Sequence, residues 1–266
     1  MMSILICPVC GQELSKEGRT YTCPAHHSFD IAREGYVNLM AGKPPAVGDN
    51  RDMIAARHRT LESGIYAPLC EALRDAASEA PSGLFLDVGC GEGYYTERMA
   101  KARCGDTVGI DISKDALKLS CRRLPEATLA VASAYHLPLA SGTVSLLSAI
   151  FAPMATEEFF RVLEPHGRLV LAVPGPYHLF GMKQILYDTP YKNAEQDTAL
   201  DGFTLIKKQT VAFPFTLPSQ EAIADLFTMT PYCYRTPRAG RERLAALKEL
   251  SLSAEFYVLV YEKAKP

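Results

Sequence analysis

What this sequence lacks excludes several classes of protein at once. No run approaches about 18 consecutive apolar residues, so no membrane-spanning helix is expected. The first residues, Met1-Met2-Ser3-Ile4-Leu5-Ile6-Cys7, show no basic region leading into an apolar core. No secretory signal is therefore expected, and the cytoplasm is the expected location. A net charge of −2 gives no whole-molecule attraction for nucleic acid, so any such binding must come from local patches. No internal repeat is visible. What remains is ordinary for a globular chain: 48% apolar and 22% charged residues. A length of 266 residues can hold one sizeable α/β domain and a small module. Eight cysteines in such a context suggest thiols and metal ligands rather than a disulfide framework.

Residues 1–40 are dense in Cys, His, Gly and Pro and look too small to build a core unaided. Cys7-x2-Cys10 and Cys23-x3-His27, twelve residues apart, supply four ligands in a zinc-ribbon arrangement, with His26 competing for the fourth place. The Cys-Pro pairs suit tight knuckles that aim two ligands at one point, and thiolate with imidazole favours zinc over hard cations. Folding of so small a module would draw on metal binding, worth about 10–16 kcal/mol in zinc-finger peptides. Four protein ligands leave no open coordination position, so the zinc is expected to be structural. The scattered Cys70, Cys90, Cys104, Cys121 and Cys233 read as core residues.

Residues 41–50 are rich in Pro and Gly and read as a linker, followed to about residue 80 by two helices broken near Ser63-Gly64. From residue 81 to 266 strand–helix alternation takes over. Strands are expected at 84–88, 107–111, 127–132, 144–150 and 168–174, and helices at about 94–103, 114–123 and 155–163. A helix over 177–188, a strand-like region at 203–217, helices at about 219–228 and 239–250, and a closing strand at 254–261 complete the pattern. The alternation predicts an α/β, Rossmann-like fold, with a mostly parallel sheet covered on both faces and a helical insertion toward the C-terminus.

The most informative stretch is Leu84-Phe85-Leu86-Asp87-Val88-Gly89-Cys90-Gly91-Glu92-Gly93-Tyr94. An apolar strand feeds an acid, then glycines at alternate positions, then a helix start. Without a Cβ, such a turn lets a ligand lie against the backbone. The next expected strand ends in Asp111, placed to accept hydrogen bonds from a ribose diol. The order D-x-G-x-G-x-G, strand, helix, strand, acid fits S-adenosylmethionine better than a dinucleotide, whose fingerprint is G-x-G-x-x-G. Asp87, Gly89, Gly91 and Asp111 are therefore assigned to the cofactor. Ser133-Ala134-Tyr135 stands where related methyltransferases often carry an acid for the adenine amine. Serine departs from that pattern, which points instead to backbone groups near Ala134.

Taken together, Cys-Pro-x-Cys, Cys-Pro-x-x-His-x-Phe-Asp, Glu-Gly-Tyr-Val-Asn-Leu and Asp-Val-Gly-Cys-Gly-Glu-Gly-Tyr-Tyr-Thr resemble the bacterial 23S rRNA (guanine-N1)-methyltransferases, a family with a branch linked to tylosin resistance. The likeness continues through Gly64-Ile65-Tyr66-Ala67-Pro68-Leu69, Ile150-Phe151-Ala152-Pro153 and Pro174-Gly175-Pro176-Tyr177-His178-Leu179, loosest over the last eighty residues. The resemblance implies a class I S-adenosylmethionine-dependent methyltransferase core, zinc on Cys7, Cys10, Cys23 and His27, and cofactor contacts from Tyr66, Gly91, Glu92 and His178. It also implies a homodimer acting on a hairpin loop of 23S rRNA, with the ribbon helping to recognise RNA.

Guanine N1 must lose a proton before or during methyl transfer, and the sequence identifies no base for it. Where amino-methylating relatives carry Asn/Asp-Pro-Pro-Tyr, this chain has Ile150-Phe151-Ala152-Pro153, without a side-chain acceptor. Phe151 suits either stacking on an extruded base or core packing. Arg235, Arg238, Arg241, Arg243 and Lys248 beside Tyr232 and Tyr234 suit RNA contact or a solvated helix face. Two other readings share the core: a small-molecule methyltransferase of the ubiquinone or sterol type, and a non-catalytic zinc-ribbon interaction protein.

Overall fold

The computed structural model describes residues 2–40, 50–195 and 197–264. Except for Asn50, the linker expected at 41–50 lies outside the described residues. At the N-terminus β1 (Met2–Ile6), β2 (Glu13–Glu17), β3 (Thr20–Thr22) and β4 (Ser28–Asp30) form an antiparallel sheet in chain order. β5 (Val37–Asn38) leaves this module and joins the edge of the larger sheet. α1 (Arg51–Glu62) starts at Asn50, whose side chain accepts from the Met53 amide and satisfies one orphan donor of the first turn. The chain breaks at Ser63-Gly64, as expected, before α2 (Ala67–Ser78).

Alternation follows: β6 (Phe85–Val88), α3 (Tyr94–Ala100), β7 (Thr107–Asp111), α4 (Lys114–Arg123), β8 (Thr128–Val131), β9 (Val144–Ile150), α5 (Thr156–Val162), β10 (Leu163–Pro174) and α6 (Phe180–Leu186). A long hairpin of β11 (Phe203–Leu217) and β12 (Leu250–Lys263) ends the fold, with α7 (Gln220–Thr228), α8 (Tyr232–Arg235) and α9 (Arg238–Ala245) between its arms. The eight strands lie in the order β11-β12-β10-β9-β6-β7-β8-β5. Neighbours from β5 to β10 run parallel, and β12 is antiparallel to both β10 and β11. β6 and β9 are buried throughout, as central strands covered on two faces must be. One face packs on α2, α3, α6, α7 and α9 through Leu69, Met99, Met182, Leu226 and Leu244. The other packs on α5 and the N-terminal module through Phe159, Val162, Leu5 and Leu14. Among the described residues no helix is long and apolar enough to cross a membrane.

The chain order reverses between β6 and β9: β7 follows on one side of β6 and β9 lies on the other. In an open α/β sheet that switch point opens a crevice at the carboxyl ends of the strands, where ligands bind. Five elements differ from expectation. β10 begins at Leu163, slips register around the left-handed His166, and resumes at Arg168, so only its regular part matches 168–174. α6 starts after Leu179, because the Pro-Gly-Pro segment and a left-handed Leu179 keep 177–179 in turns. α9 stops at Ala245, since Leu250 already pairs with Leu217 and the closing strand is longer than 254–261. α3 ends at Ala100.

α9 crosses α6 at Gly240, where an added Cβ would stand 2.1 Å from the Leu186 carbonyl oxygen. Gly240→Ala should therefore cost about 1–3 kcal/mol and lower Tm by several degrees in thermal unfolding. An unchanged Tm would show that the two helices do not depend on this close approach.

Candidate functional site

The N-terminal module converges on four donors. Two turns aim them: the Cys7 amide bonds the Gln12 carbonyl at 2.8 Å and Gly11 donates back to Cys7, while Cys23 and His27 close the second turn at 3.1 Å. The left-handed His26 (φ 63°) puts its own side chain outward and brings His27 in, so His27 joins the three cysteines. Cys7 Sγ and His27 Nδ1 are 3.5 Å apart, Cys10 and Cys23 Sγ 3.6 Å, and Cys23 Sγ and His27 Nδ1 3.3 Å. A tetrahedral zinc with bonds of about 2.3 Å to sulfur and about 2.0 Å to nitrogen spaces its ligands by roughly 3.5–3.8 Å. The donor set fits zinc, and Cys7, Cys10, Cys23 and His27 would hold it. Burial raises the Cys23 thiol, but the His27 amide and side-chain partners outweigh it and bring it down to about 7, toward the thiolate a metal needs.

The second site lies at the switch point. Gly89, Gly91 and Gly93 all take left-handed backbone conformations after β6. At Gly89 a Cβ would stand 2.7 Å from the Cβ of Ala152, so the turn lies directly against the segment that follows β9. Beneath it Asp87 is 2% exposed, and the hydroxyls of Thr96 on α3 and Ser148 on β9 donate to its two oxygens, each at 2.5 Å. Burial pushes its carboxyl up to about 6, against the pull of those donors. The structure thus gives Asp87, assigned by sequence to the cofactor, a place under the turn, with both oxygens meeting protein hydroxyls. Asp111, at the end of β7, accepts from the Gly91 amide at 2.8 Å and the Ser113 amide at 2.7 Å. Each carboxylate oxygen has a second lone pair, which suits it to a ribose diol.

Glu92 turns away from these glycines. Its side chain, 3% exposed, meets His58 Nδ1 of α1 at 3.1 Å and Arg123 of α4 at 3.4 Å. Arg123 also bonds Glu62 at 2.5 Å and Glu97 at 3.1 Å. Ala134 sits half-buried in the turn after β8, closed by the Tyr135 amide on Ser133 Oγ at 3.2 Å and the His136 amide on the Ser133 carbonyl at 3.1 Å.

Tyr66 and His178 meet around Phe256 of β12. The buried Tyr66 ring stands edge-on to Phe256 at 5.4 Å and to Phe213 and Phe215 at 6.3 and 6.5 Å. Burial holds its phenol well above the usual tyrosine range. His178 lies 4.4 Å from the Phe256 ring, and its Nδ1 accepts from the Glu255 amide at 3.4 Å. Burial, reinforced by the Lys183 charge, lowers its imidazole to about 4, leaving it neutral with Nε2–H as the donor. The glycine turn and Asp111 thus form one group and Tyr66 with His178 another, on the same sheet edge, with Ala134 beside β7. Sequence reasoning missed Thr96, Ser148, His58 and Phe256. Ser148 alone left a trace, as a polar residue in the otherwise apolar run 146–150.

Several guanidiniums considered for RNA are engaged within the chain. Arg241 donates to the carbonyls of Thr236 and Cys233, Arg243 to Ile185 and Asp188, and Arg238 to Glu242. Arg241 and Arg243 thereby tie α9 to α8 and α6, while the Arg238 pair lies within α9.

A parallel sheet with β12 inserted antiparallel beside its last parallel strand, a glycine turn at the switch point and an acid ending the next strand define a class I S-adenosylmethionine-dependent methyltransferase, here joined to a zinc ribbon. Family models agree: "RlmA, N-terminal", a zinc ribbon, matches residues 5–43, and "Methyltransferase domain" matches 86–171. A Micromonospora griseorubida protein provisionally named 23S rRNA (guanine-N(1)-)-methyltransferase is 37% identical, covering 92% of each chain. A Bacillus subtilis protein with the same provisional name, YxjB, is 30% identical over 97% of this chain and 96% of its own. The 23S rRNA (guanine(748)-N(1))-methyltransferase of Streptomyces fradiae is 38% identical over 66% of this chain and 65% of its own. Among solved structures, a chain from the complex of the Haloferax volcanii Trm112 methyltransferase activator with its assigned methyltransferase shares the fold, with a TM-score of 0.51 at 16% identity over 83% of this chain and all of that one. This chain belongs to the 23S rRNA (guanine-N1)-methyltransferase family.

Two predictions follow from the geometry. Purified protein should carry one zinc per chain by metal analysis, and Cys10→Ala should lose it and speed proteolysis within residues 1–40. A metal-free protein with an intact module would contradict the assignment. For Asp87 the sign is fixed by its raised carboxyl: the folded state binds more protons than the unfolded one between about pH 4 and 6. Its contribution to stability is therefore greatest below that window and is lost as pH rises through it. Asp87→Asn should gain about 3 kcal/mol on the wild type between pH 4 and pH 7, read as the difference between their unfolding curves. A constant difference would mean that Asp87 titrates normally.

Proposed function

We propose that this protein methylates N1 of a guanine in a hairpin loop of 23S rRNA, in the cytoplasm and as a homodimer. The observation that carries this reading is the pairing of a zinc ribbon with a methyltransferase core in this chain, beside relatives that match nearly its whole length and bear that activity in their names. A small-molecule methyltransferase needs no ribbon.

When bound, S-adenosylmethionine supplies an electrophilic methyl carbon and a thioether leaving group. The chain's part is alignment, which can account for much of the acceleration. Gly89 and Gly91 let the backbone approach the ligand closely, Asp111 accepts from the ribose hydroxyls, and the Ala134 turn offers backbone groups to the adenine edge. Tyr66 and the neutral His178 close the site from the β12 side. Glu92 serves it indirectly, by holding the turn to α1 and α4. Guanine in a loop must be splayed out to present N1, and that nitrogen gives up its proton as the new N–C bond forms.

Labelled cofactor and unmodified 23S rRNA should yield one methyl group at a single guanine. Because a methyl on N1 blocks the pairing edge, reverse transcription should stop beside it. Label appearing only on small metabolites, or no label despite cofactor binding in calorimetry, would overturn the proposal. Light scattering of the purified protein should give twice the chain mass.

A further inference from the structure

We propose that Phe151 is the shelf on which the extruded guanine stacks; this deepens the RNA reading above and rests on it. Phe151 directly follows β9, at the carboxyl edge of the sheet beside the switch point. The next residue, Ala152, is the one that Gly89 approaches so closely that a Cβ would not fit. The segment bearing Phe151 and the cofactor turn therefore touch, and a base resting on this ring lies within reach of the transferring methyl group.

The backbone at Phe151 is strained, and of the left-handed non-glycine residues it is the one that stands against the glycine turn. Phe151 adopts φ 55°, a left-handed conformation that a bulky side chain avoids, and its amide is fixed to the Ala172 carbonyl at 3.1 Å. Such strain is kept where the surroundings enforce it, and it clusters at ligand sites. The strained backbone does not bury the ring, which is 47% exposed. Its covered side rests on Phe256 at 5.4 Å and on Tyr95 at 6.3 Å, so the ring is braced while leaving surface open. An aromatic ring propped outward at a catalytic edge offers a purine the apolar contact that extrusion takes away. Ile150-Phe151-Ala152-Pro153 carries no polar side chain, so the contact is made through the base's face and not its pairing edge. Stacking of this kind tolerates any base. Phe151 thus sets affinity and the plane of the base, leaving identity to other groups.

The natural chain contains no tryptophan, which makes the test direct. Phe151→Trp introduces a single indole at the proposed contact. Its emission should be quenched by the rRNA hairpin and left largely unchanged by cofactor alone. Phe151→Leu should raise KM for RNA by roughly 10- to 100-fold, while cofactor affinity and Tm stay near the wild type. An unchanged KM in Phe151→Leu, or indole emission indifferent to RNA while wild type methylates it, overturns the inference. Parallel loss of Tm and cofactor binding in Phe151→Leu also overturns it, because the ring would then be packing. If wild type itself fails to methylate the RNA, the proposed substrate falls, and this inference with it.

Discussion

The whole catalytic edge depends on a carboxylate buried at the end of β6. Asp87 joins the two sides of the switch point: Thr96 brings in α3, which starts from the glycine turn, and Ser148 brings in β9, which leads to Phe151. Desolvation opposes the charged form, and the two hydroxyl donors offset only part of that opposition, so the carboxyl stays above its ordinary range. An apolar residue there would avoid the cost of burial and lose the cross-link. The three alternate left-handed glycines are held by their own amides, Gly89 on the Ile110 carbonyl at 2.9 Å and Gly91 on Asp111 at 2.8 Å, while Asp87 fixes the strand from which they start. Stability is given up at this point for a defined turn.

A second buried acid extends the arrangement outward. Glu92 is nearly inaccessible, and a carboxylate in that position is costly unless paired. Its partners, His58 and Arg123, tie the cofactor turn to α1 and α4. The residue after His58 is Arg59, whose guanidinium makes a two-pronged bond to Asp225 of α7 at 2.6 and 2.7 Å. α1 is thus a strut between the cofactor turn and the helices inserted in the β11–β12 hairpin. Both basic side chains on α1 are about half exposed, so solvent weakens each of these polar contacts taken singly. The weight falls on the acids, which are buried and would be left unpaired.

How much of this was legible in sequence varied with its physical origin. The parallel core read well because buried central strands are continuous apolar runs and each helix between them keeps its period. The cysteine–histidine cluster read well because metal coordination demands fixed residue types at short spacing; the choice of His27 over His26, implied by the resemblance, is matched in the structure by the backbone turn that sends His26 outward. The glycine turn with Asp111 beside it was legible as a structural unit for the same local reason. Asp87 was recognised as part of the site but not as its support, because its partners lie nine and sixty-one residues away. Phe256, the ring that gathers Tyr66, His178 and Phe151, left no mark, since one more aromatic in a late strand resembles any core residue. The true length of α9 was hidden because cross-strand pairing of Leu250 with Leu217 overrode a helical pattern in the local sequence.

The ribbon, finally, is docked rather than tethered. Leu5, Leu14 and Tyr21 pack in one cluster with Leu137 and Leu139 of the core. Leu5 bridges to Leu139, the Ile6 amide bonds the Pro138 carbonyl at 2.9 Å, and β5 extends the main sheet beside β8. Zinc supplies the folding energy such a small module lacks, and that energy fixes a rigid surface against residues 137–139. The same short segment begins at Ala132, whose amide bonds the backbone carbonyl of Asp111 at 3.2 Å, and it passes through the Ala134 turn. One stretch of about eight residues therefore touches the ribbon at one end and the cofactor edge at the other. Force on the ribbon would bear directly on the Ala134 turn, so the metal module and the carboxyl edge of the sheet share a physical connection made by local chain continuity alone.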